Sequence, residues 1–96
     1  MALIVFSTLR LWNGANASWH FINVPPADAV DIRAHSLMNR GGFGSVRVEA
    51  TIGDVIWRTS VFPQKSGGYL LPVKKEVRAK AGIGAGDNVR VELELL

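Results

Sequence analysis

Between Ser45 and Phe62 the chain alternates with a period of two. Val46, Val48, Ala50 and Ile52 interleave with Arg47, Glu49 and Thr51, Gly53-Asp54 breaks the run, and Val55, Trp57, Thr59 and Val61 resume it in phase. This predicts two half-buried strands joined by a hairpin. With Gly53-Asp54 as a two-residue loop, Ile52 faces Val55 and Ala50 faces Trp57, a small residue opposite the largest one, while Glu49 faces Arg58 on the outer surface. The last strand, Asn88 to Leu95, is more regular still: Val89, Val91, Leu93 and Leu95 point inward, and Arg90, Glu92 and Glu94 outward.

The first strand, Leu3 to Trp12, has Leu3, Val5, Leu9 and Leu11 on one side and Ile4, Phe6, Thr8, Arg10 and Trp12 on the other, so both faces carry apolar weight. Asn13-Gly14-Ala15-Asn16 is turn chemistry, and Ser18 to Asn23 is a β-prone aromatic run, which together predict a hairpin. Pro25-Pro26 then ends the extended chain and sets up a helix start, with Asp28 and Asp31 in the first turns. Ala27, Val30, Ala34, Leu37 and Met38 recur at helical spacing and predict one apolar stripe, stopped at Gly41-Gly42. Further on, Tyr69 to Val73 is a short strand whose Pro72 places it at an edge or a strand end. A second helix follows, Lys74 to Ala81, with Val73, Val77 and Ala81 on one face and Gly82 as its terminator; Gly84 to Asp87 forms a tight turn.

About six short strands and two short helices in 96 residues are accommodated most readily by a closed or nearly closed antiparallel β-barrel, a mainly β fold in one domain spanning 1–96. Closure removes the unpaired edges that invite aggregation. Hydrophobic residues at 48% and charged residues at 20%, spread along the length, exclude a disordered chain. Cysteine is absent, which removes disulfides, thiolate metal sites and a cysteine nucleophile, and makes a reducing cytoplasm the expected compartment. The apolar start, Met1 to Phe6, breaks at Ser7, Thr8 and Arg10 and is expected to be a strand rather than a signal peptide or membrane span.

Net charge is +3, but its distribution is uneven. From Arg33 to Lys80 there are nine basic residues (Arg33, Arg40, Arg47, Arg58, Lys65, Lys74, Lys75, Arg78 and Lys80) against Glu49, Asp54 and Glu76. Lys74, Lys75 and Arg78 fall on adjacent turns of the second helix, and Lys80 extends their patch. Such a patch also serves as an ordinary solvated helix face. As a site, Arg58, Lys74 and Arg78 would hold a phosphate or carboxylate, with Tyr69 as a stacking surface and Ser60 and Lys75 close by.

Three segments carry a resemblance: Trp57-Arg-Thr-Ser-Val-Phe-Pro63, Gly68-Tyr-Leu-Leu-Pro-Val-Lys-Lys-Glu-Val-Arg78 and Gly82-Ile-Gly-Ala-Gly86-Asp87-Asn-Val89. With Trp19-His-Phe-Ile-Asn-Val-Pro25 and Gly42-Phe-Gly-Ser-Val46 upstream, the chain resembles the family catalogued as domain of unknown function nineteen-oh-five over nearly its whole length. The resemblance implies a compact β-barrel with a helix inserted after the second strand, found mostly in bacteria, alone or joined to other small domains, and without an established activity. A partial likeness links Arg78, Gly82 and Gly86-Asp87 to swapped-hairpin DNA-binding proteins of the AbrB and antitoxin type. The Pro72 to Arg78 segment of this chain is two residues longer than in that pattern, and shared local geometry explains the likeness better than shared DNA binding.

No catalytic constellation stands out. His20 and His35 lack ligand spacing, so no metal is expected, and Ser60 has no nucleophile elbow around it. Gly41 to Ser45 leaves a helix and enters a strand, the reverse of a phosphate loop. Trp12, Trp19 and Trp57 could build an aromatic pocket, although inward aromatics on strands usually belong to the core. The reading is therefore a non-catalytic binding or accessory module without a cofactor, whose ligand the residues do not name, an anionic small molecule being one candidate. The alternatives are nucleic-acid binding through Arg58 to Lys80 and, third, a small-ligand enzyme; no membrane partner is expected.

Overall fold

The computed structural model describes residues 2–14, 17–38 and 44–96. Six strands close into a barrel in the order β1-β2-β5-β4-β3-β6, every neighbouring pair antiparallel. They are β1 (Ala2–Asn13), β2 (Ser18–Val24), β3 (Val46–Ile52), β4 (Val55–Pro63), β5 (Tyr69–Pro72) and β6 (Asn88–Leu95), with helix α1 (Val30–Met38) between β2 and β3 and α2 (Lys75–Ala81) between β5 and β6. This is the mainly β barrel with two short helices that the periodicity predicts, and α1 lies after the second strand. No helix among the described residues is long and apolar enough to cross a membrane.

The register follows the alternation residue by residue. Ile52 pairs with Val55, Ala50 with Trp57 and Glu49 with Arg58, whose Nε stands 3.2 Å from the Glu49 Oε2. Val46, Val48, Val89 and Val91 are buried, as are Val5, Leu9, Ile22 and Leu71 on the other wall. The interior is thus filled by side chains, as a barrel this narrow requires. Both helices feed the same core, α1 through Ile32 and α2 through Val77, with Ala29 of the preceding turn beside them.

Two expectations for the first helix are corrected. Pro25-Pro26 does not open it: Asp28 N–H donates to the Pro25 carbonyl and Ala29 N–H to that of Pro26, a turn that delays the helix to Val30. The stripe Ala27, Val30, Ala34, Leu37 and Met38 is exposed, and the buried residues are Ala29 and Ile32. At 100° per residue, Ala29, Ile32, Arg33 and Ser36 share the opposite face. Arg33 and Ser36 are pinned there, Arg33 Nη2 donating to the Gly67 carbonyl and Ser36 Oγ to that of Gly44 at 3.4 Å. These two side-chain bonds accompany the burial of Ala29 and Ile32, so the face with fewer apolar residues is the one that turns inward. The expected stop at Gly41-Gly42, the glycine loop from Gly41 to Phe43, and Arg40 lie outside the described residues.

Strand β1 is longer than the barrel needs. It pairs with β6 only from Ala2 to Thr8 and with β2 from Leu9 to Asn13. At the changeover Leu9 N–H donates to the Asp87 carbonyl, and Gly86 N–H to that of Leu9. Beyond this point β1 and β2 run on as a two-stranded arm past the barrel mouth. Leu11 and its partner His20 keep the inward phase of Leu9 and Ile22, yet Leu11 is exposed and His20 only half-buried. The overhang is what opens a site.

Candidate functional site

The chain reaches the mouth of the barrel from two directions. From one comes the arm, with Trp12 directly opposite Trp19 in register. From the other comes β5, where Pro72 pairs with Phe21 at the strand end and Val73 N–H donates to the His20 carbonyl at 3.0 Å. That last bond ties the start of α2 to the base of the arm. Val73 and Val77 are buried, which seats α2 against the core and leaves Lys74, Lys75 and Arg78 on its open side. The helix ends at Gly82 in the left-handed conformation, with the Gly82 and Ile83 N–H groups both donating to the Arg78 carbonyl. Arg78 is therefore held by its backbone while its side chain faces the groove.

The resulting groove, about 360 Å³, is lined by Ser18, Trp19 and His20 of the arm, Pro72, Val73, and the three cations Lys74, Lys75 and Arg78. No carboxylate lines it, and among the described residues none of the three cations makes an ion pair. A second groove of about 480 Å³ adjoins it, lined by Trp12, Phe21, Phe62, Gln64 and Leu70 together with Trp19, His20 and Pro72, which belong to both. Burial first, and then the Arg78 guanidinium, hold the His20 imidazole below the usual histidine value. His20 is neutral near pH 7, so the charge at the junction comes from the lysines and the arginine.

Half of the sequence-predicted set meets here: Lys74, Lys75 and Arg78 converge on one groove. The other half does not. Arg58 points from the outer face of β4 and is engaged by Glu49, Ser60 stands opposite Arg47 on the same hairpin, and Tyr69 is 3% exposed and part of the core. Tyr69 therefore offers no stacking surface. Trp12 and Trp19 do, at 55% and 58% exposure, whereas Trp57 is core. Sequence reasoning names Trp12 and Trp19 for an aromatic pocket but does not join them to the cations, and it gives His20 no binding role. The signal for Trp19 and His20 was the aromatic run Trp19-His20-Phe21 on a strand that closes next to Pro72.

Among the described residues no group of histidines and carboxylates is arranged to hold a metal. No curated protein matches the chain. The sequence profile described as Domain of unknown function (DUF1905), by contrast, matches residues 6–93. The chain belongs to this family. The DUF1905 match takes in all six strands and both helices, from within β1 to within β6, so the arm, Pro72 and the cationic helix are all parts of the family domain. It is an uncharacterised module with no activity assigned to it.

Proposed function

We propose that this DUF1905 domain is a non-catalytic module that binds an anionic small molecule at the groove between the β1–β2 arm and α2. The observation that carries the reading is the convergence of Lys74, Lys75 and Arg78 on one concavity from which carboxylates are absent. Cations clustered on one wall of a groove with no counter-charge raise the local concentration of anions, and a planar guanidinium adds paired donors for a carboxylate or phosphate. The composition of the groove supports a binding role over a catalytic one. No carboxylate lines the groove beside Ser18 and His20 to orient the imidazole as a base. The lack of cysteine suits a reducing cytoplasm as its place of action.

The test is a titration of the isotope-labelled protein with pyrophosphate, followed by amide chemical shifts. Shifts confined to Trp19, His20 and Lys74 to Arg78, and lost in the double variant Lys75→Gln/Arg78→Gln, are expected. Shifts scattered over every basic residue, Arg47 and Arg90 included, would overturn the reading.

A further inference from the structure

We infer that the ligand is an aromatic acid: a flat ring body lying in the apolar groove, with its carboxylate or phosphate directed to Lys74, Lys75 and Arg78. This deepens the anion reading above and rests on it. Three observations combine. The two grooves adjoin at Trp19, His20 and Pro72, which line both, so a ligand that reaches across this border would use them as one trough. Its two halves differ in chemistry: one end holds three cations, and the other holds Trp12, Phe21, Phe62 and Leu70, with Gln64 as its one amide. An inorganic anion would use one half only, and a neutral ring the other. A ligand that uses the whole trough carries its charge at one end and its apolar surface at the other.

The apolar half also favours rings over chains. Trp12, Trp19, His20, Phe21 and Phe62 present flat faces and edges, and offset or edge-to-face contacts between rings gain more than their buried area alone supplies. A volume of about 480 Å³ leaves room for a body of one or two fused rings. A nucleic-acid strand fits less well. Bases stack on aromatic platforms, but a strand also needs cations along its path, and no lysine or arginine lines the aromatic half.

The three tryptophan indole N–H signals provide the readout, with buried Trp57 as an internal control. The probes are 2-naphthoate, its neutral isostere 2-naphthalenemethanol, cyclohexanecarboxylate, pyrophosphate and a short oligothymidylate. The inference predicts that 2-naphthoate shifts the Trp12 and Trp19 indole signals and the Lys74 to Arg78 amides together, leaving Trp57 in place. It predicts binding at least about tenfold weaker for the neutral isostere and for cyclohexanecarboxylate, and a similar loss of naphthoate binding in Lys75→Gln/Arg78→Gln and in Trp19→Ala. If pyrophosphate moves the Lys74 to Arg78 amides while naphthoate binds no better than cyclohexanecarboxylate, the anion reading stands and the aromatic one falls. If naphthoate binds the double-glutamine variant undiminished, the anion reading itself falls. An oligothymidylate that outcompetes naphthoate would overturn both in favour of a nucleic acid.

Discussion

The six-membered ring of Trp12 lies against Gly14: a Cβ on that glycine would stand 2.6 Å from the ring atom Cη2 and 2.7 Å from Cζ3. The obstacle is the far end of a side chain on an exposed arm, so it can move. Gly14→Ala is predicted to cost less than about 1 kcal/mol in denaturant unfolding, because no buried group is displaced. It should nevertheless shift the Trp12 indole N–H signal and weaken naphthoate binding, since the ring that borders the trough must turn.

Gly68 makes the opposite case. There a Cβ would meet the Val24 carbonyl oxygen at 2.5 Å, and this obstacle is backbone, held in the β2–β5 ladder where Val24 pairs with Tyr69. Gly68→Ala forces two paired strands apart. It is predicted to cost about 1–3 kcal/mol, the range for overpacking a close-fitted site, and to lower the urea midpoint without changing the slope.

His20 provides a pH signature. Its folded value lies below the ordinary 6.5, so the unfolded chain takes up the proton first as pH falls. Stability from this group is complete above about pH 6.5 and declines as pH drops from there towards the folded value. The charged groups lining the same groove are Lys74, Lys75 and Arg78. Arg78→Gln should move the His20 ring-proton titration upward without restoring 6.5, since burial is the larger cause. A titration unchanged by that variant would contradict the placement of Arg78.

The two faces of α1 separate burial from pattern. Ile32 is fully buried, while Leu37 and Met38 are 73% and 85% exposed. Ile32→Ala is predicted to cost about 2–5 kcal/mol through lost contacts and a cavity, and Leu37→Ser/Met38→Ser to change stability by no more than about 0.5 kcal/mol per site. Thermal unfolding of the two variants checks the ranking.

What could be read in the sequence was whatever a two-residue period encodes. The Glu49–Arg58 and Ala50–Trp57 pairs and the inward valines of β3 and β6 follow from alternation and one tight loop, which leave no freedom of register. The α1 stripe was misleading because the face that packs inward carries only Ala29 and Ile32 as apolar residues, beside Arg33 and Ser36 that bond to the Gly67 and Gly44 carbonyls, and periodicity carries no trace of those contacts. The site was half legible for a related reason. Lys74, Lys75 and Arg78 meet by local helical spacing, whereas Trp19 and His20 join them only because β2 closes against β5 more than fifty residues later. Arg58 and Tyr69 precede the patch in sequence, but strand alternation sends Arg58 outward to Glu49 and Tyr69 into the core.

The most direct measurement is a crystal structure of the protein soaked with 2-naphthoate. Density for the ring over Trp19 and Pro72, with the carboxylate oxygens within about 3 Å of the Arg78 guanidinium or a lysine ammonium, is the predicted result. A ring bound with its carboxylate turned away from Lys74, Lys75 and Arg78, or seated elsewhere on the barrel, would contradict it.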